Sequence, residues 1–148
     1  MPFHYRLESL LRLRRSMERQ EELRLHSLAA VAARLRAELR QLDESRLAQR
    51  RSARQSLATG GAGSMLQFEV ACDAAYFTAR KSLHKKLAEA EKQRADQLKI
   101  YTEAHKKSEI LAALRESQQE AYILDSLRRE QQRVDEAFLI RKYLNPSE

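Results

Sequence analysis

The residues that interrupt regular secondary structure occur at only three places in this chain. Of its 148 residues, three are glycine and two are proline. The glycines stand at positions 60, 61 and 63, and the prolines at positions 2 and 146. Sandwiches, barrels and α/β folds need many turns, and turns are rich in these two residue types. The sequence therefore predicts an all-α protein with two uninterrupted segments and one turn between them.

Apolar residues in the first segment recur at spacings of three and four, which is the repeat of a coiled coil. They are Leu25, Leu28, Ala32, Leu35, Leu39 and Leu42. Toward the turn this stripe weakens, because Arg46 and Gln49 occupy its next positions. We predict helix 1 at about 5–57, a turn at about 58–64 and helix 2 at about 65–143. The expected fold is one domain over residues 1–148, an antiparallel coiled-coil hairpin in which the second helix is longer.

Unequal helices leave part of helix 2 without a partner in this fold. Leu57 and Met65 flank the turn, so residue i is expected near residue 122 minus i, and Tyr5 near Ser117. About 25 residues, 118–143, then extend beyond helix 1. This segment is too apolar for a purely solvated tail and is predicted to be a docking element. The alternative is a helix end that folds back or self-associates in a dimer. Its large apolar residues are Tyr122, Leu124, Leu127, Val134, Phe138, Leu139, Ile140 and Tyr143.

Residue patterns that carry catalysis or bind cofactors and metals are missing from the sequence. Cys72 is the only cysteine, which excludes a disulfide framework and favours a reducing compartment. No two of the four histidines have the i, i+4 spacing of a helical zinc site, and the glycine cluster lacks the Lys of a phosphate-binding loop. We expect no enzyme activity, no cofactor and no metal. Neither a signal peptide nor a membrane span is apparent, so a cytoplasmic location is predicted.

The net charge of +7 is concentrated in the first segment. Residues 1–57 hold 13 basic residues, all Arg, against 7 acidic ones. Such an excess suggests two alternatives, a nucleic-acid-binding coiled coil or a membrane-peripheral scaffold. The arginines are interleaved with Glu, however, and the aromatic residues lie elsewhere. Specific binding of nucleic acid is therefore not expected.

Both ends of the chain carry motifs that resemble those of one known protein family. The start is FHYRLESLLRLR at 3–14 followed by Glu18, and the end has EAY at 120–122 and RREQQRVDE at 128–136. Both are similar to the corresponding ends of the flagellar export protein family FliJ. Length and the position of the glycine-containing turn agree, so the resemblance covers the whole chain. The YscO proteins of virulence secretion systems share this architecture.

The resemblance implies a cytoplasmic component of the flagellar type III export apparatus, peripherally associated with the inner face of the cell membrane. Such a protein is similar to the central stalk subunit of rotary ATP synthases. It would insert into the hexameric export ATPase and promote ring assembly and activity. The family also implies contact with the cytoplasmic domain of the export-gate membrane protein, and handling of emptied export chaperones.

Two sets of site residues follow from the resemblance. The set expected to contact the ATPase ring is Phe3, Tyr5, Leu7, Leu10, Leu11, Arg14, Tyr122, Arg129, Val134, Phe138 and Ile140. The set expected to contact the export gate is Tyr76, Phe77, Leu83 and His84.

Overall fold

Two long helices make up nearly all of the structure. The computed structural model describes residues 2–61 and 63–144. Helix α1 spans Glu8–Ala58, 51 residues, and helix α2 spans Ser64–Leu144, 81 residues. No strand occurs in these two ranges. The prediction of an all-α fold with two packed helices and a longer second helix is confirmed.

The turn between the helices is built on glycine. Gly60 has φ +96°, a left-handed conformation that only glycine adopts without strain. Its N–H donates to the carbonyl of Leu57 at 3.2 Å, and the N–H of Gly61 donates to that of Ser56 at 2.9 Å. This pair of bonds is the Schellman motif, which satisfies the last carbonyls of a helix. The glycine cluster therefore ends α1, as the sequence predicted.

The chain folds as two compact units. Unit 1 comprises Met1–Glu18 and Glu103–Glu148, and unit 2 comprises Arg19–Thr102. In both, a stretch of α1 lies antiparallel against a stretch of α2. Unit 2 pairs Asp43 with Tyr76 and Glu21 with Gln97. The expectation of one domain over 1–148 stays a prediction.

The interior of unit 2 is a thin seam of small apolar residues. Ala32, Leu39, Ala53 and Ala90 are buried, while the flanking leucines of the predicted stripe are half-buried. Two helices cannot enclose a thick core, so only the innermost heptad positions lose solvent contact. Ala at these positions lets the backbones approach closely. The apolar repeat of the sequence thus marks the face on which α1 meets α2.

Polar groups replace apolar ones in the seam near the turn. Arg46 is only 4% exposed and lies between carboxylates of α2. Its guanidinium donates to Asp73 at 2.7 and 2.9 Å and to Glu69 at 2.8 Å. A buried charge is tolerated only when it is paired in this way. The weakening of the apolar stripe that the sequence indicated is therefore an ion-pair cluster around one buried arginine.

The interior of unit 1 is formed by Tyr5, Leu11 and Ser108. Leu11 is fully buried, and Tyr5 is 4% exposed. Tyr5 lies before α1, not within it, and its hydroxyl donates to the carbonyl of Leu111 at 3.0 Å. The expectation of Tyr5 near Ser117 is therefore corrected. Helical pairing does not extend to Tyr5, because the helix begins three residues later and the phenol reaches α2 from a turn closed by the N–H of Glu8.

Candidate interaction surfaces

The N-terminal segment of unit 1 is held against α2 by its two aromatic residues. Tyr5 is anchored by the hydrogen bond to the Leu111 carbonyl. The ring of Phe3 packs on the ring of Tyr122, with centroids 5.7 Å apart and planes tilted by 49°. Tilted aromatic pairs of this kind add stabilisation beyond the area that they bury. Of the predicted ATPase-contact residues, Tyr5 and Leu11 are thus interior residues that position the segment.

The first turns of α1 expose a row of apolar side chains beside this anchor. Leu7, just before α1, and Leu10 are each more than a third exposed, and Arg14 is half-buried. Leu13 and Met17, which sequence reasoning left out of the site, are more exposed still, at 56% and 44%. The sequence signal for these two residues is that they are apolar and lie beside the seam positions, not in them. Unit 1 therefore presents an apolar surface on α1.

The last part of α2 is helical but almost wholly exposed. Every residue from 116 to 144 is exposed except Ser126. Exposure of the large apolar side chains runs from 37% at Tyr122 to 83% at Tyr143. Such a density of exposed apolar residues on one helix is typical of a binding surface. They are Tyr122, Ile123, Leu124, Leu127, Val134, Phe138, Leu139, Ile140, Tyr143 and Leu144.

Charges on this terminal part of α2 are balanced. Residues 120–144 contain five basic and five acidic side chains. Arg129, a predicted contact residue, forms an ion pair with Asp125 at 2.6 Å, one helical turn away. Exposed pairs of this spacing contribute only a few tenths of a kcal/mol. Arg129 can therefore exchange this partner for a carboxylate on another protein at little cost.

A carboxylate of α1 bridges two side chains of α2 in unit 1. Glu18 accepts hydrogen bonds from Ser108 and from His105, the latter at 2.6 Å. The hydrogen bond from Ser108, and then that from His105, lower the pKa of Glu18, although partial burial opposes them. The same contact with Glu18 raises the pKa of His105. This cluster therefore links the two helices in unit 1.

The predicted export-gate residues lie in unit 2 on two different faces of α2. Tyr76 and Leu83 are half-buried toward α1, and Phe77 and His84 are exposed. Tyr76 donates to Asp43 at 2.6 Å, which raises the pKa of the phenol and lowers the pKa of the carboxyl. Phe77 is 59% exposed. Phe77 and His84 therefore lie on the outer face of α2, and Tyr76 and Leu83 on its inner face.

Many arginines of α1 are paired with carboxylates. Within α1, Arg12, Arg19 and Arg24 form ion pairs with Glu8, Glu22 and Glu21. Across unit 2, further pairs join arginines of α1 to α2; they are Arg36 with Glu91, Arg46 with Glu69 and Asp73, and Arg50 with Asp73. Paired arginines attract phosphates less strongly than free ones, because the neighbouring carboxylate repels the phosphate. The alternative of a nucleic-acid-binding coiled coil gains no support from this arrangement.

Imidazole, thiolate and carboxylate groups are the usual metal ligands in proteins. Within 2–61 and 63–144, no cluster of three or more His, Cys, Asp or Glu side chains could hold a metal ion. Cys72 is half-buried and has a free thiol. Over the same described residues, neither helix is apolar enough along its length to cross a membrane.

These features define a class of protein, a pair of antiparallel helices with exposed apolar faces. A family model described as "Flagellar FliJ protein" matches residues 3–148. The chain therefore belongs to the FliJ family, as the resemblance at its two ends indicated, and is a component of flagellar protein export. This is a family of structural export proteins, not of enzymes. Neither a search of curated proteins nor a search of solved structures returned a match.

Proposed function

We propose that the protein is a stalk-like component that binds the hexameric flagellar export ATPase and promotes its assembly and activity. The observation that carries this proposal is the exposed end of α2, which keeps large apolar side chains in solvent along residues 122–144. A long helix without packing partners is only marginally stable in water. Binding to a larger partner would bury this apolar surface and stabilise the helix.

The proposed ATPase-contact surface combines the ends of both helices in unit 1. Leu10 and Arg14 contribute from α1, and Leu7 from the turn that precedes it. From α2 the contributing residues are Tyr122, Arg129, Val134, Phe138 and Ile140. Phe3, Tyr5 and Leu11 act indirectly, because their packing fixes the N-terminal segment on α2. Balanced charges around the apolar residues would give contacts that are individually weak and so can shift between equivalent subunits of a ring.

We further propose that unit 2 links the ATPase to the export gate. The surface for the cytoplasmic domain of the gate protein is centred on Phe77 and His84, with Tyr76 and Leu83 supporting them from the inner face. Handling of emptied export chaperones and a peripheral position at the inner face of the membrane belong to the same proposal. Support for it comes from family membership and from the exposure of Phe77.

ATP turnover of the cognate export ATPase, measured with increasing amounts of this protein, tests the ATPase proposal. Phe138→Ala and Phe77→Ala form a matched pair, since both are phenylalanines of α2 and are 65% and 59% exposed. Phe138→Ala is expected to raise the protein concentration needed for half-maximal stimulation by about tenfold, a typical loss for an aromatic contact residue. Phe77→Ala should leave stimulation unchanged. Truncation after Glu120 should abolish it.

Binding to the cytoplasmic domain of the gate protein should show the reverse pattern. There Phe77→Ala is expected to weaken binding and Phe138→Ala to leave it intact. If the unsubstituted protein does not stimulate an ATPase that is active alone, the ATPase proposal is wrong. Equal losses from both alanine variants would contradict the assignment of the two surfaces.

A further inference from the structure

The exposed end of α2 carries a regular heptad stripe of its own. Leu124, Leu127, Val134 and Phe138 are 56–67% exposed. Together with Gln131 and Arg141 they recur at spacings of 3, 4, 3, 4 and 3, which are the a and d positions of a coiled coil. We call these six residues the terminal stripe. A repeat of this kind is typical of the seam between two helices.

The terminal stripe lies on a side of α2 that the N-terminal segment of unit 1 does not cover. Tyr122 marks the covered side, because its ring packs on Phe3. At roughly 100° per residue, Leu127 lies about 140° and Leu124 about 200° around the helix from Tyr122. A second helix can therefore lie on the terminal stripe without displacing Phe3.

Charges beside the stripe select both the occupant and its direction. Arg128, Asp135 and Lys142 occupy its e positions, and Glu130 occupies a g position. In an antiparallel pair of identical helices, e faces e, so each Arg128 meets Asp135 of the other copy. In a parallel pair, g faces e, and each Glu130 would meet Asp135 of the other copy, a repulsive contact. The segment is therefore complementary to itself only when antiparallel.

The apolar layers fit the same antiparallel register. Positions a and d face each other in such a pair, so that Leu127 packs on Phe138 of the other copy and Gln131 on Val134. At each end, Leu124 meets Arg141, whose aliphatic stem can cover a leucine while its charged end stays in water. No layer of this register brings two like charges together.

From this complementarity we infer that the terminal stripe pairs with the terminal stripe of a second copy of this chain, forming an antiparallel homodimer. With four exposed apolar side chains per copy and on the order of 60–120 Å² each, the apolar interface is roughly 500–1,000 Å². Interfaces of this size give weak, reversible complexes. The expected dissociation constant is on the order of 1–100 µM. The dimer would cover Val134 and Phe138, which also belong to the proposed ATPase-contact surface, so dimer and ATPase would compete. This competition rests on the proposed function, whereas formation of the dimer does not.

Sedimentation velocity of the full chain alone, from low micromolar to a few hundred micromolar, tests the dimer. We expect a reversible monomer–dimer equilibrium. Phe138→Asp should raise the dissociation constant at least tenfold, and Ile140→Asp should not, since Ile140 is 58% exposed but lies off the stripe. Circular dichroism checks that both variants remain helical.

Charge reversal identifies the register. Arg128→Glu or Asp135→Arg alone should weaken the dimer at least fivefold, because each puts two like charges opposite each other. The double variant should restore the dimer, because positions 128 and 135 then carry opposite charges again. Glu130→Lys should leave an antiparallel dimer unchanged and would strengthen a parallel one. A chain that stays monomeric at every concentration overturns the inference, as does a dimer that the double variant fails to restore. If Phe138→Asp abolishes ATPase stimulation while the unsubstituted chain forms no dimer, the ATPase and not a second copy occupies the terminal stripe.

Discussion

Replacing Leu11 by Ala tests the interior of unit 1 most directly, because Leu11 is the largest side chain that is fully buried. The change removes three carbon atoms from a site without solvent contact. At about 0.8 kcal/mol for each buried methylene, this loss amounts to about 2.4 kcal/mol, and any residual cavity adds to it. Water can enter a two-helix seam more readily than a thick core, so we expect the lower half of the usual range of about 2–5 kcal/mol.

Leu13→Ala is the matched control, two residues away on the same helix. Leu13 is 56% exposed, so less than half of the same side chain is withdrawn from water. Scaling the transfer free energy by burial gives about 1 kcal/mol, which the higher helix propensity of Ala reduces slightly. The two variants should therefore differ by about 1.5 kcal/mol in the free energy of unfolding.

Urea unfolding followed by circular dichroism gives this difference, and amide hydrogen exchange locates it. Exchange of peptides within 104–115 should become roughly thirtyfold faster in Leu11→Ala if a loss of about 2 kcal/mol is confined to unit 1. Peptides of unit 2 provide the internal reference. Equal urea midpoints for the Leu11 and Leu13 variants would refute the assignment of Leu11 to the interior.

Two further predictions concern the turn and the response to pH. Gly60→Ala should destabilise the protein by about 1 kcal/mol, because a left-handed conformation costs an L-residue about 1–2 kcal/mol and the stiffer unfolded chain returns part of it. Gly63 has open space around the position of a Cβ and no positive φ, so Gly63→Ala should be neutral or slightly stabilising in the same thermal or urea unfolding assay; equal losses would contradict the reasoning. Because the pKa of His105 is raised, the stabilisation from its contact with Glu18 is lost as the pH rises from 6.5 through the raised pKa of His105. Because the pKa of Glu18 is lowered, the same stabilisation is also lost as the pH falls from 4.5 through the lowered pKa of Glu18. Urea midpoints at pH 5.5 and pH 8.5 should therefore fall with pH more steeply in the unsubstituted protein than in His105→Gln, and identical slopes would show that the pair contributes nothing.

Sequence patterns were sufficient for the number, direction and approximate ends of the helices. Glycine and proline are the residues that helices exclude from their interiors, so their confinement to 2, 60–63 and 146 left no other place for a turn. Predicted helix 1 began too early, at about 5 rather than at Glu8. Nothing in the local sequence forbids helix at Tyr5. What holds it outside the helix is a contact with Leu111, more than a hundred residues away.

The candidate site was predictable in part. The unequal lengths of the two helices predict an apolar segment beyond the end of helix 1, and in the structure this segment is exposed. Within the N-terminal set, however, spacing alone could not separate Leu11, which is buried, from Leu10, which is 38% exposed. The two are adjacent in sequence and equally apolar. Only the position of the facing helix distinguishes them.

The sequence by itself therefore determined that this chain forms two helices, where they are joined, and that the second is longer, since these properties depend on local conformational preference and on length. Tertiary structure decided which side chains lie between the helices. Arg46 is the clearest case, because a charged residue on an apolar stripe indicates, from the sequence alone, that the stripe ends there. It is buried nonetheless, since the antiparallel register brings Glu69 and Asp73 of α2 within hydrogen-bonding distance. Burial of a charge depends on partners distant in sequence, and their positions are set by packing.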